Sequence, residues 1–485
     1  MQRLTQWMSG AAGLAALMTV AGCTVGPRYR APAPPTVTAY TPQPLPAETA
    51  SSEGIAGNAQ HFNSSAAIPA DWWTAFQSPE LNAMVEEALK NSPTLEQATA
   101  RLKQAQEEVN ARTGRTKFPE VTGNASVTEE QLNLAAYGIP FPNPSPFTLL
   151  NGSVAVSYAL DVFGANRRAI EGLKAQRDYE ARQIEGARLM LEGNVVAAAI
   201  RQAEVRREVE ITRQLLAVEQ KELRIAEERV RAGGISDFDV HSQRTQVAQT
   251  EAAIPPLELQ LDTIDDQLAA LMGKSPAEAQ VAGISLDALH LPADLPLTVP
   301  SELVRQRPDI RAAEALLHEA SANVGVATAN QYPQIVLTGS GGGVGTRFNS
   351  GGDVWNVSAA LAAPIFNGGA LQAEKRKVQD AYDEAASEYR ATVLESFREV
   401  ADALYAAEHD AETLKARSAA AGEAEGAYGI AAKRFESGGI SEQSLLEAER
   451  QKLQTGLDRE NAAASRLTDS ATLFEALGGK AASSF

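Results

Sequence analysis

Two short stretches constrain this chain more than any other: Arg229-Val230-Arg231-Ala232-Gly233-Gly234-Ile235-Ser236 and Arg434-Phe435-Glu436-Ser437-Gly438-Gly439-Ile440-Ser441. They lie 205 positions apart, and each separates two long helical patterns. Paired glycines permit the left-handed backbone that ends a helix, and the serine that follows is a good N-cap for the next one. Each stretch therefore predicts the tip of a long helical hairpin. A period near 200 residues is too long for a solenoid repeat, so the chain reads as an internally duplicated domain.

The rest of the repeat follows in order. Residues 79–117 predict helix, with a break at Pro93. After Phe118-Pro119, Val121, Gly123, Ala125 and Val127 alternate with polar residues, and Val154, Val156, Tyr158, Leu160 and Val162 do so again. Apolar-out, polar-in alternation over about ten residues fits a transmembrane β-strand; it fits a half-buried strand of a soluble sheet equally well. Residues 165–231 hold no proline, enough for about 100 Å of helix, with a heptad-like seam at Ile211, Leu215, Val218 and Ile225. Residues 236–272 return as helix, with a bend expected at Pro255-Pro256. The plan then recurs: helix 301–331, strands 334–340 and 354–363 with a glycine-flanked loop (Gly341-Gly342-Gly343 and Gly351-Gly352) between them, a long helix 370–436, and a returning helix 441–477.

The N-terminus is of another kind. Arg3 precedes a short apolar run at 7–21, too short to span a bilayer, and Val20-Ala21-Gly22 leads to Cys23, the one cysteine of the chain. Small residues before a lone cysteine resemble a bacterial lipobox, with Cys23 lipidated (palmitate among its acyl chains) and made the mature N-terminus; an ordinary signal peptide with an incidental cysteine is the plainer reading. Thr24, rather than an aspartate, implies outer-membrane sorting in that pattern. Pro32, Pro34, Pro35, Pro42, Pro44 and Pro46 then favour an extended tether, ending at Asp71-Trp72-Trp73 and Phe76, aromatics read as packing the tether on the body. The organisation is thus signal peptide 1–22, anchored tether 23–70, first repeat 71–273, linker 274–300, second repeat 301–477 and tail 478–485.

Chemistry is sparse. The net charge of −18 argues against a nucleic-acid partner and suits a cation-favouring passage. His61, His241, His290, His318 and His409 are scattered without HExxH spacing or a cysteine partner, so no catalytic or metal site is expected, and no cofactor. The Gly341 run is no phosphate loop, because no Gly-Lys-Ser/Thr follows. Four membrane strands cannot close a barrel alone, so an oligomer is required.

In order and duplication, the lipobox, Trp72-Trp73 with Phe76, the Phe118-Pro119 and Tyr332-Pro333 junctions, Arg307-Pro308-Asp309-Ile310, Phe163-Gly164, Phe366-Asn367-Gly368 and the paired tips resemble the TolC/OprM family of outer-membrane efflux channels, in its NodT-type lipoprotein branch. The resemblance covers essentially the whole mature chain. It implies an α+β membrane fold: a homotrimer with a twelve-stranded β-barrel in the outer membrane, continued by an α-helical periplasmic tunnel. It implies a passive exit duct for small molecules, no enzyme, working with a periplasmic adaptor and an inner-membrane pump of the RND type. A type I protein-secretion duct shares the fold; a periplasmic adaptor or a coiled-coil scaffold is the more distant alternative. The tips Gly233, Gly234, Ile235, Ser236, Gly438, Gly439, Ile440 and Ser441 become the adaptor contacts. The family's acidic constriction falls on Ser444 and Glu447, with Asp239 and Ser242 as the first-repeat equivalents. Crowded carboxylates there are expected to repel one another and to have raised pKa values; read alone, Asp239 and Glu447 are ordinary solvated helix residues. Phe435 replaces the family's latch tyrosine and Ile440 an arginine of TolC, so gate packing is expected to be apolar.

Overall fold

The computed structural model describes residues 24–64, 68–347 and 351–479. Cys23 and the signal segment lie outside the described residues. The chain forms two compact units, and each sequence repeat contributes to both.

The first unit takes its residues from 24–32, 100–181 and 312–390. Its centre is a four-stranded antiparallel sheet. With β1 reserved for a short strand at His61–Asn63, the sheet comprises β2 (Glu120–Glu130), β3 (Phe147–Leu160), β5 (Gln334–Gly345) and β6 (Gly351–Ala362), in the order β2-β3-β5-β6. The register sorts the two faces. Val121 opposes Val156, which opposes Gly339, which opposes Val357; one step on, Gly123, Val154, Gly341 and Trp355 line up. On the other face Thr122, Ala155, Ser340 and Asn356 form one row, and Glu120, Ser157, Thr338 and Ser358 the next. Thr338 and Ser358 hydroxyls share a 2.7 Å hydrogen bond there. The apolar face is open: Trp355 is 80% exposed and Val357 79%. Polar residues therefore occupy one side of the sheet while large apolar ones stand unpacked on the other.

The glycines expected to flank a loop are strand residues instead. Gly341, Gly342 and Gly343 pair with Val154, Ser153 and Gly152 of β3, and with Trp355, Val354 and Asp353 of β6. Pairing on both sides overrides the weak strand preference of glycine. At Gly342 a Cβ would meet the Gly152 carbonyl oxygen at 2.2 Å, so the close approach requires glycine.

The second unit takes its residues from 33–99, 182–311 and 391–479. Helix α1 (Pro79–Asn91) starts on Ser78, whose hydroxyl accepts from the Leu81 N–H, and buries Leu81, Met84, Val85 and Ala88 on one face. It stops at Ser92, because a residue before proline is pushed out of the helical region; Pro93 then opens α2 (Pro93–Lys117). The long α3 (Ala165–Arg231) and α4 (Asp237–Leu271) follow. Pro255 and Pro256, where a bend is expected, lie inside α4 and do not end it. The strand β4 (Asp294–Pro296) pairs in parallel with β1. The helix expected over 301–331 is two helices, α5 (Pro300–Gln306) and α6 (Pro308–Ala329), divided at Arg307 for the reason that divides α1 from α2. The chain closes with α7 (Ala370–Glu436) and α8 (Glu442–Ala476).

The tether is held by the core as the tryptophans suggested. Trp72 is fully buried, stacks on Phe474 at 5.6 Å, and donates its indole N–H to Glu192 at 3.1 Å. Arg466, also fully buried, donates to the Ala56 carbonyl and to the Thr49 hydroxyl, while Gln60 donates to Ser470. Burial lowers the Arg466 pKa to about 10. At Arg307 the guanidinium holds Asp309, Glu399 and the Ala476 carbonyl together.

Next to Arg466, burial and then the facing Asp410 push the Asp469 carboxyl up to about 8, against a smaller lowering by Arg466. The folded state thus keeps a proton that the unfolded chain releases near pH 3.8. Stability is then highest below that value and falls as pH rises toward 8. Asp469→Asn is expected to flatten this slope and raise the thermal midpoint at pH 8.5, with little change at pH 4; thermal unfolding across that range checks it.

Candidate functional site

The two hairpin tips are built alike. At the first, Gly233 takes φ +74°, the Gly234 N–H donates to the Arg229 carbonyl at 2.8 Å, and the Gly233 N–H donates to Val230 at 2.9 Å. At the second, Gly438 takes φ +72°, with Gly439 to Arg434 at 2.7 Å and Gly438 to Phe435 at 2.9 Å. This 6→1 and 5→2 pair satisfies the last carbonyls of α3 and α7. The next helices are capped in the same turn. The Ser236 N–H and hydroxyl both donate to Asp239 Oδ2, at 3.0 and 2.9 Å. The Ser441 hydroxyl accepts from the Ser444 N–H at 3.2 Å. Asp239 and Ser444, equivalent across the repeat, are thus the third residues of two caps.

This local role changes the electrostatics expected of Asp239. Its hydrogen bonds from Ser236 hold the carboxyl below the ordinary aspartate value, not above it. Glu447 is likewise engaged, by Arg450 one turn on, at 2.5 and 3.2 Å. The crowding expected of Glu447 comes from another helix. Glu222 of α3 is pushed up, chiefly by burial; a hydrogen bond from Gln243 lowers it and the Glu447 charge raises it. Gln243 of α4 donates to Glu222 at 3.0 Å, and Gln246 donates to the buried Glu219 at 3.1 Å. The Arg450 pKa is raised, first by its bond to Glu447 and also by the charges of Glu222 and Glu219. Three glutamates from α3 and α8 therefore share one arginine just behind the tips. Sequence reasoning found Glu447 and missed Glu219, Glu222 and Arg450. The only trace of the pair on α3 is the position of Glu219 beside the seam residue Val218.

The tips are also tied to each other. Arg229 donates to Gln443 of the opposite tip, and Arg244 donates to Glu227 at 2.7 Å across the first hairpin. Lys452 spans the second, pairing with Glu425 at 3.2 Å and sitting 5.0 Å over the Tyr428 ring. Phe435 is partly exposed on the last turn of α7, and Ile440 is half-buried beside Ser441. Phe238, one turn past the first tip, is 78% exposed. Among the described residues no cluster of metal-ligating side chains occurs, and no helix is long and apolar enough to cross a membrane.

The chain matches the outer membrane efflux protein family over residues 84–274 and 299–479. It is 30% identical over 421 residues to the pyoverdine export outer membrane protein OpmQ of Pseudomonas aeruginosa, covering 84% of this chain and 87% of the relative. It is 27% identical over 441 residues to nodulation protein T of Rhizobium leguminosarum bv. trifolii, covering 89% of each. Among solved structures, the outer-membrane channel OprN superposes with a TM-score of 0.81 at 26% identity, over 94% of this chain and 99% of that one. The fold and the family match together define a channel protein of the outer membrane, not an enzyme. The chain belongs to the outer membrane efflux protein family.

At Gly233 and Gly438 nothing lies within 4 Å of an added Cβ, so substitution there acts through the backbone alone. Gly438→Ala is expected to cost about 1 kcal/mol and Gly438→Asn less, because asparagine tolerates the left-handed region. Hydrogen exchange of the last turn of α7 is the measurement; equal protection in Gly438→Ala and the parent would contradict it.

Proposed function

We propose that three copies of the chain close a twelve-stranded barrel in the outer membrane, continued by a helical periplasmic tunnel, and that this duct is the passive exit of a tripartite efflux system for small molecules. The observation that carries the reading is the sheet: one exposed apolar face, one polar face and, among the described residues, two unpaired edges at β2 and β6. Lipid tolerates such a sheet only when its edges are paired. Three sheets of four strands give an even number within the bacterial range. The relative named for pyoverdine export supports a small-molecule cargo.

In this reading Cys23 carries the lipid anchor. Its neighbour Thr24 packs on Gly164, and the Val25 N–H donates to the Phe163 carbonyl where β3 hands over to α3. The tips at Gly233–Ser236 and Gly438–Ser441 receive a periplasmic adaptor, and an inner-membrane pump of the RND type supplies the energy. Asp239, Ser444 and Glu447 line the periplasmic constriction, with Phe435 and Ile440 packing beside it. Glu219 and Glu222 join Glu447 in making it cation-selective. Opening is a shift in helix packing that adaptor binding favours.

Single-channel recording of the purified lipoprotein in planar bilayers tests this. Small, cation-selective openings are expected, with selectivity reduced in Glu447→Gln and less affected in Asp239→Asn, whose asparagine retains the cap. Openings of unchanged selectivity in Glu447→Gln would contradict the constriction.

A further inference from the structure

All four sheet strands end at one rim, where Glu120 opposes Ser157, Leu160 opposes Ile335 and Gln334 opposes Ala362. Four helix ends meet the same rim. Helices α2 and α6 stop at Lys117 and Ala329, and α3 and α7 start at Ala165 and Ala370. Arg112 of α2 donates to Asn166 of α3, which fixes their common level.

Two side-chain classes gather at this rim. The first is aromatic: Phe163 stacks on Tyr332 at 4.7 Å, Phe118 is exposed, and Phe366 is 91% exposed. Aromatic girdles mark the headgroup level of membrane barrels. The second is cationic. Segments 112–120, 161–177 and 370–377 hold ten Lys and Arg against four Asp and Glu, in a chain of net charge −18. At the other end of the sheet, segments 128–147 and 344–353 hold three Asp and Glu against one Arg. Some of the rim cations are already paired, Arg167 with Asp161 and Arg168 with Glu171. Among the described residues, Arg115, Lys117, Lys174, Lys375 and Arg376 make no ion pair.

We propose that this rim is a binding belt for acidic phospholipid headgroups of the leaflet that faces the periplasm, a proposal that rests on the outer-membrane duct reading above. The geometry suits a phosphodiester. Side chains on a helix tilt toward its N-terminus, so those of the first turns of α3 and α7 lean toward the strands and the bilayer. Long Lys and Arg stems reach further along that direction while keeping their charge in the headgroup layer. A groove of about 400 Å³ on α3 is lined by Arg167, Ile170, Lys174 and His318. Its carboxylates are occupied: Glu171 holds Arg168 at 2.7 Å and His318 at 3.0 Å, and Asp178 holds Arg177 at 2.5 Å. Lys174 is left as the groove's unpaired cation, beside an apolar wall at Ile170 and Ala175. The tether adds Arg28 and Arg30, and Thr24 rests on Gly164 of the same rim.

The test is native mass spectrometry of the full-length lipoprotein from nanodiscs of equimolar phosphatidylglycerol and phosphatidylcholine. Selective retention of phosphatidylglycerol is expected. With each cation near a charged surface contributing to binding, the variant Arg115→Gln, Lys174→Gln, Lys375→Gln, Arg376→Gln is expected to lose about tenfold of that preference. A control with Lys221→Gln, Arg224→Gln and Lys415→Gln, on the same helices away from the rim, is expected to keep it. Salt titration of the parent protein needs no variant, and selectivity is expected to fall steeply with ionic strength. Equal retention of the two lipids at low salt, or equal loss in the control and the rim variant, overturns the belt and leaves the duct intact. Failure to insert into either bilayer overturns the duct reading and the belt with it.

Discussion

A backbone hydrogen bond left unmade in lipid costs several kcal/mol, and no water is there to replace it. The sheet of this chain places that requirement at two edges. The three contacts β2–β3, β3–β5 and β5–β6 satisfy the interior of the sheet, but among the described residues no strand pairs with the outer sides of β2 and β6. The exposed valines and Trp355 on one face, and the hydroxyls and amides on the other, are what a wall between lipid and water requires. A soluble sheet would cover that apolar face with helix; here its largest residue is 80% exposed.

The helical part answers a different problem. Long helices of alanine-rich, low-moment sequence gain little from propensity alone, so their ends and a few polar clasps fix the arrangement. Schellman turns and serine caps make the two reversals. Arg307, Trp72 with Glu192, and Arg466 with Thr49 tie the irregular segments to the helices. Removing one partner from such a buried cationic clasp leaves carbonyls and carboxylates unpaired, which is why these few residues hold more of the structure than their number suggests. Near the tips the same chemistry is less balanced, with three glutamates around one arginine.

Much of this was legible because its causes are local. Gly-Gly-Ile-Ser announces a helix end and a cap within four residues. Strict alternation announces strands, and a proline announces the break at Ser92. Buried tryptophans after a proline-rich segment announced the docking of the tether. What escaped depends on partners distant in sequence. The glycines of β5 look like a loop until strands on both sides pair with them. Helix 301–331 looks continuous unless Arg307 is read through Pro308. Glu222 and Glu447 lie 225 positions apart, and only the return of α8 along α3 brings their charges together. The role of Asp239 escaped for the opposite reason: its cap is so local that it removes the residue from the crowded set.

The central claim is that the β6 edge of one copy pairs with the β2 edge of the next until three copies close. Cys23 is the chain's one cysteine, and a lipidated Cys23 offers no free thiol, so cross-linking between introduced cysteines has a clean background. With Asn124→Cys fixed on β2, cysteines are moved one residue at a time along β6 from Gly351 to Ala362, and disulfides are formed in outer-membrane fractions. The account predicts cross-links at a few adjacent same-face positions, in a ladder that stops at three chains. No cross-link at any position in membrane-inserted protein, or a ladder that stops at two or runs past three, would contradict it.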